Sequence, residues 1–485
     1  MAAVSSLGIG SGLDLNALLA GIKAGEQAPL AALQKQQTSY TTKLTAYGQL
    51  SGALSGLQSA AAALAKPELF QGVKASSTAG DVLTATALST ASSGSYNLNV
   101  TQLSQAQSLA TTGQLTSSTR IGDGTTATRV QFEFGTTLGT DFYGDAARTQ
   151  SLDIDPAKSS LADIAKAINA KTTLGVTASI VNDGSGSPFR LVLTSTKTGE
   201  ASSMRITVSG DPVEPDGERG PGDAALSSLL TNDPAASKTL QQTVAAQNTN
   251  LTVNGIAVTS ATNSVAGAIQ DVTLSVSKIG TTTVSVQQDT ASVQAAITNF
   301  VTAYNSLQSV AGRLTAFDPA SKSGAVLLGD STLRNIQTGI RSALSTAQTP
   351  DGSDLTMLSQ IGISLQKDGT LAVDPTKLTA ALGSRMSGVA HLFSGGVGGF
   401  GNSMSALVAG YTDTTGGVLT AATKGINKTL DSLAKQYSAT SERVEATVAR
   451  YKAQFTQLDT MMSRMNQTSS YLTQQFDAIN NSNKK

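Results

Sequence analysis

The sequence predicts a multidomain α+β protein: long terminal coiled-coil helices, a helical domain, and two β-rich domains inserted between the helical halves. Three observations predict it. Apolar side chains repeat every seven residues at both ends of the chain. The middle alternates apolar and polar residues, as half-buried strands do. At 485 residues the chain is too long for one core, and about three or four domains are expected.

The C-terminal repeat is the longest. Leu430, Tyr437, Val444, Tyr451, Leu458, Met465, Leu472 and Ile479 stand seven apart. Beside them run Ile426 and Leu433, then, after a one-residue slip, Val448, Phe455, Met462 and Phe476. No proline or glycine falls between Ile426 and Ile479, so a helix of about 80 Å carries both rows on one side. A stripe so narrow on a helix so long needs a partner helix, and the N-terminus offers one. There Leu33, Tyr40, Tyr47, Leu54 and Ala61 repeat by sevens, beside Leu50, Leu57 and Leu64. Asp14 is placed to cap the run Leu15, Leu18, Leu19, Ile22. Pro29 is expected to start a second helix at its first turn. Gly48, Gly52 and Gly56 weaken the helix, at roughly 1 kcal/mol each against alanine. The pattern also fits two amphipathic helices on an ordinary core; helix at both ends and a different middle favour pairing of the ends.

The middle reads as β. Ser95–Val100 alternates, as does Val130–Phe134, and a helix with the stripe Leu161, Ile164, Ala165, Ile168 follows. Val176–Val181 and Phe189–Leu193 form a hairpin across 182–188, and Met204, Ile206 and Val208 give another strand. Residues 211–223, dense in Pro, Gly, Asp and Glu, read as a surface loop or disordered insert. Asn254-Gly255 between Leu251–Val253 and Ile256–Val258 is the strongest hairpin signal in the chain. Val272, Leu274 and Val276, then Val284 and Val286, add two strands. Helix resumes near Asp289 or Thr290 with Val293, Ile297, Phe300, Val301, Tyr304 and Leu307, and again with Leu333, Ile336, Ile340 and Leu344. Asp374-Pro375 sits at the cap and first turn of a helix carrying Leu378, Leu382 and Met386, and the glycine-rich stretch 395–401 precedes the last helices. The expected domains are 1–45 with 440–485 (coiled-coil legs), 46–75 with 290–439 (helical), 76–112 with 247–289 (β-rich plate) and 113–246 (inserted β-rich outer domain).

Composition excludes several functions. The 33 basic and 33 acidic residues cancel, so no net field draws the chain to nucleic acid or an anionic membrane. No apolar stretch approaches the ~20 residues of a membrane span, and the first residues lack the pattern of a standard signal peptide. The absence of cysteine excludes disulfides, thiol catalysis and the usual zinc sites. The single histidine, His391, offers no triad or metal set and reads as structural or surface. Gly8, Gly10 and Gly12 lack the spacing, strand and lysine of a phosphate loop. The Asp-Gly pairs at 123, 183, 216, 351 and 368 are scattered turns without calcium-loop spacing. No enzyme and no cofactor is indicated.

Several segments resemble, in order, the flagellar filament cap family, hook-associated protein 2. They are 7–33 (Leu-Gly-Ile-Gly-Ser-Gly-Leu-Asp-Leu through Glu26-Gln-Ala-Pro29-Leu), 94–107, 175–181, 189–195, 252–256, Asp289-Thr290, 300–305, 361–363 and 368–371. The resemblance spans the chain, although the loop at 211–223 and the length of the insert are not family marks. It implies a protein exported unfolded through the flagellar type III channel, with an export chaperone, and secreted to the distal filament tip. There it would form a ring homo-oligomer, a pentamer in the usual description, with terminal helices as legs and β domains as a plate. Flagellin would fold and polymerise beneath the plate without leaking away, and hook–filament junction proteins would be partners. Left open are another axial or junction protein, a host-facing adhesin binding surface glycans, and, least, an enzyme grafted on the insert.

Overall fold

The computed structural model describes residues 14–210, 220–348 and 354–482. The chain divides into two compact units, Met1–Phe70 with Thr290–Lys485, and Gln71–Asp289. The loop read from the sequence at 211–223 falls largely outside the described residues.

The first unit is helical. Its N-terminal helix runs from Leu15 to Leu64, capped by the Asp14 side chain, which accepts from Ala17 N. Pro29 does not begin a new helix: it lies inside this one. A proline removes one ladder bond, here the one to Gly25, and crowds that residue's carbonyl. A glycine at that position carries no side chain to hinder local opening of the turn, and the helix runs on for 35 residues, buried on one face from Ala46 to Leu64. Gly48, Gly52 and Gly56 are likewise absorbed. They line the exposed side, while Tyr47, Leu50, Leu54, Leu57, Ala61 and Leu64 are buried on the other.

That buried face meets the helix Thr290–Thr315 through Val293, Ile297, Phe300 and Tyr304, and the helix Phe400–Thr412 through Phe400, Met404 and Val408. Phe400 stands edge-on to Phe300 at 5.3 Å and to Phe393 at 5.9 Å between ring centroids, an arrangement aromatic pairs prefer. Gly401 allows the contact: a Cβ there would sit 2.7 Å from Ala65 N and 3.0 Å from Ala61 O. The hairpin of Ile363–Leu365 and Leu371–Val373 is held by Asn305, whose amide donates to Leu371 O at 2.9 Å while its carbonyl accepts from Leu371 N at 2.8 Å. Asp374 caps Pro375–Ser384 by accepting from Thr376 N and Lys377 N.

The second unit holds two β cores. In one, a five-stranded antiparallel sheet (in order Val73–Ser77, Gly280–Gln288, Gly94–Gln102, Thr249–Val253, Ile256–Ser260) packs with the three strands Ser264–Ile269, Val272–Val276 and Leu83–Ala87. Leu98, Val100, Leu251, Val284, Val286 and Leu274 fill it. Asn254 and Gly255 turn the last two strands of the larger sheet at φ 50° and 85°, the left-handed values of a type I′ turn.

In the other core, Phe132, Phe134, Leu191, Leu193, Met204 and Ile206 come from a four-stranded and a three-stranded sheet. The helix Leu161–Ala170 covers them with Leu161, Ile164 and Ile168, its N-terminus capped by Ser160, which accepts from Asp163 N. The longest strand here, Asp141–Ile154, is one the alternation rule does not reveal, because only Ile154 along it is fully buried.

Candidate assembly surfaces

Among the described residues no group of His, Cys, Asp or Glu is arranged to hold a metal ion, and His391 lies half-buried in the short helix Met386–Ser394. Three Asp-Gly carboxylates serve their own loops. Asp123 accepts from Thr125 N, Thr126 N and the Thr126 hydroxyl, which hold it well below the usual carboxylate range. Asp183, paired first with Arg190 and then with Ser185, is lowered to about 2. Asp368 accepts from the Thr370 hydroxyl and N–H and is lowered for that reason. The Asp-Gly pairs at 216 and 351, and Gly8–Gly12, lie outside the described residues.

The terminal helices carry the assembly candidates. The C-terminal helix is continuous from Val418 to Ser482 and packs against Leu15–Leu64. Its beginning belongs to the helical core: Leu419 and Ile426 are buried in it and Leu430 is half-buried against it, and Leu433 and Val444 farther along are buried too. On the N-terminal helix Tyr47 and Leu54 are buried, and Leu33 and Tyr40 half-buried. Tyr437, Tyr451 and Phe455 are half-buried, the last two with ring centroids 6.2 Å apart.

Beyond them the stripe is open. Leu458 is 40 % exposed, Met465 58 %, Leu472 48 %, Phe476 62 % and Ile479 53 %. The heptad row is thus one sequence pattern serving two surroundings. Its beginning is consumed within the chain and its end faces solvent.

A polar node that sequence reasoning missed joins the N-terminal helix to the helix Ser331–Ser345. Asp330 caps the helix Ser331–Ser345 by accepting from Leu333 N at 3.0 Å. It also accepts from the Tyr47 hydroxyl at 2.8 Å and pairs with Lys43 Nζ at 2.7 Å. Burial pushes its carboxyl up, but the bonds from Lys43, Leu333 and Tyr47 outweigh that and hold it below the ordinary value. The Asp330 hydrogen bond in turn raises Lys43, and burial raises Tyr47. Only the cap left a sequence signal, an Asp before Ser-Thr-Leu; its partners are remote in the chain.

Known proteins place these features in a family. The N-terminal domain of flagellar hook-associated protein 2 matches residues 11–107 and its C-terminal domain residues 246–467, with a flagellin hook IN motif at 156–197. Flagellar hook-associated protein 2 of Escherichia coli K12 is 41 % identical over 498 residues, covering all of both chains. That of Salmonella typhimurium is 39 % identical, over 99 % of this chain and 100 % of the relative. The crystal structure of the D1-D2-D3 domains of the flagellar cap protein FliD from Escherichia coli superposes with a TM-score of 0.60 at 37 % identity, covering 79 % of this chain and 99 % of that one. The chain belongs to the flagellar hook-associated protein 2 family, the flagellar cap proteins.

Proposed function

We propose that this protein is the structural cap at the distal tip of a bacterial flagellar filament, where it promotes folding and polymerisation of exported flagellin and prevents its leakage. The observation that carries the reading is identity of 41 % along the whole length of a flagellar hook-associated protein 2, not over one module. The open apolar stripe from Leu458 to Ile479 supports it, since a leg seated in a filament needs such a surface. In this reading residues 1–45 and 440–485 are the legs, 46–75 with 290–439 the helical domain, and 76–112 with 247–289 the plate carrying the outer domain 113–246. The protein works without catalysis, as a secreted ring homo-oligomer, a pentamer, reached by type III export with a chaperone. Flagellin and the hook–filament junction proteins are its partners, and the outer domain is the part that would meet host surface glycans.

The test is Leu458→Asp with Met465→Asp, which sets two charges on a surface meant to be dry, at several kcal/mol, roughly, if it is fully buried in the assembly. The double variant is expected to be exported but to fail at the filament tip, with flagellin monomer in the medium. Normal filaments would refute the role given to the stripe.

A further inference from the structure

The edge of a β-sheet leaves backbone N–H and C=O groups open to pairing, and folded proteins blunt edges with charges, bulges or covering segments. Within Gln71–Asp289, nearly every edge among the described residues carries such a device. The strand Gln241–Val244 is irregular between Gln242 and Val244, and Ser264–Ile269 between Ala266 and Ile269. Asn169 clamps the edge Val176–Asn182: its amide donates to Ala178 O at 2.7 Å and its carbonyl accepts from Ala178 N at 2.9 Å. Asp141–Ile154 bears Asp141, Asp145, Arg148 and Asp153. Ser203–Gly210 is covered at Ile206, which exchanges both backbone bonds with Asn232. Val73–Ser77 and Leu83–Ala87 lie against one another.

The exception is Ile256–Ser260, the outer strand of the five-stranded sheet. Its residues, Ile-Ala-Val-Thr-Ser, include no charge and no proline, and its register with Thr249–Val253 is unbroken. The two-residue turn makes Val253 and Ile256 a hydrogen-bonded pair, and such pairs alternate along the strand. The backbone groups of Ala257 and Thr259 therefore point away from the sheet, and among the described residues no backbone bond meets them. Ile256 is 71 % exposed although it shares a face with the buried Leu251 and Val253, and Val258 on that face is half-buried.

We propose that this edge pairs with the same edge of a second copy of the chain, antiparallel and two-fold about Val258. The open residues, Ala257 and Thr259, are spaced symmetrically about Val258, so a self-pair satisfies every open donor and acceptor at once. Val258 then faces Val258, Ile256 stands beside Ser260, and no charge is set against a like charge. The contact is isologous and closes at two copies, so it is distinct from any interface that propagates around a ring.

Because the chain has no cysteine, single cysteines report this pairing without background. Opposed residues of a non-hydrogen-bonded pair have Cα atoms about 4.5 Å apart, within disulfide reach. Full-length Val258→Cys, oxidised at low micromolar concentration, is expected to give a disulfide-linked dimer at least tenfold faster than Leu88→Cys, a control more open than Val258 at 64 % exposure. Adding Ala257→Pro, tolerated on an edge whose N–H faces outward, is expected to cut that rate severalfold, with circular dichroism unchanged. Equal cross-linking of Val258→Cys and Leu88→Cys would overturn the proposal. So would cross-linking that survives the proline, or a change of sedimentation caused by Ala257→Pro when Val258→Cys does not cross-link, since another strand would then hold the edge.

Discussion

Replacing Asp330 by alanine tests whether one buried carboxylate fastens the N-terminal helix to the helical core. The substitution removes a helix cap, worth about 1 kcal/mol. It leaves the Tyr47 hydroxyl without its charged acceptor, worth about 1.5–3 kcal/mol for a bond to an ionised group. It also frees Lys43, whose side chain is 32 % exposed, so that this pair adds roughly 1 kcal/mol at most. The three share one carboxylate and do not simply add, so a loss of about 2–4 kcal/mol is expected. In a unit of this size that lowers Tm by about 2–4 °C per kcal/mol. Scanning calorimetry of the full chain would read it on the transition of the helical unit, and hydrogen exchange would read it locally at residues 43–64 and 331–345. Asp330→Asn, which keeps a side-chain carbonyl as cap and acceptor, should recover part of the loss.

The node also fixes a pH window. Asp330 titrates below its unfolded value, so its contribution is present above about pH 4 and lost as pH falls through the folded pKa. Lys43 titrates above its unfolded value, so its contribution holds below about pH 10 and is lost as pH rises through the folded pKa. An alanine variant as stable as the parent at pH 7, or an asparagine variant as damaged as the alanine one, would refute the reasoning.

Two further outcomes are expected. Gly401→Val drives a side chain against the Ala61–Ala65 backbone, which cannot yield as a flexible side chain could; urea unfolding of the full chain should show a loss of about 1–3 kcal/mol or more, and an unchanged midpoint would contradict the close approach. Residues 113–246 expressed alone should give a β-rich circular dichroism spectrum and a cooperative melt; a disordered spectrum without a transition would show that these bounds do not enclose a core.

Local chemistry was the legible part of the fold. Asn254-Gly255 announced its hairpin, and Asp14 and Asp374 announced their caps, because each signal lies within a few residues of its effect. Leu161, Ile164, Ala165 and Ile168 announced a helix face by spacing alone. Pro29 misled because proline marks a helix start only by preference: inside a helix it forfeits one ladder bond, and this helix continues past it to a face that is buried from Ala46 to Leu64. Asp141–Ile154 escaped because only Ile154 along it is buried, so no core face enforces alternation; Ser203–Gly210, the other edge of the same sheet, buries Met204 and Ile206 and does alternate. At the candidate surfaces, the heptad spacing named the residues but not their surroundings: Tyr47 and Leu54 are buried while Met465 and Ile479 are open. The Asp330 node and the bare edge at Ile256–Ser260 depend on partners far away in the chain, or on their absence.

The way the chain enters and leaves its β unit has a kinetic consequence. Val73 lies opposite Gln288, and Asp289 N donates to Gly72 O at 2.8 Å, so the entry and exit of the insert are zipped together. Until that zip forms, the helical halves are separated by a floppy tether of roughly 220 residues; afterwards they are joined by a short link, which lowers the entropy of closure by about 4 kcal/mol. The β unit should therefore fold first and bring the two helical halves within reach of each other. Refolding after dilution from denaturant should show strand signal preceding burial of Tyr47, and lengthening loops within the insert should leave the helical phase nearly as fast as before.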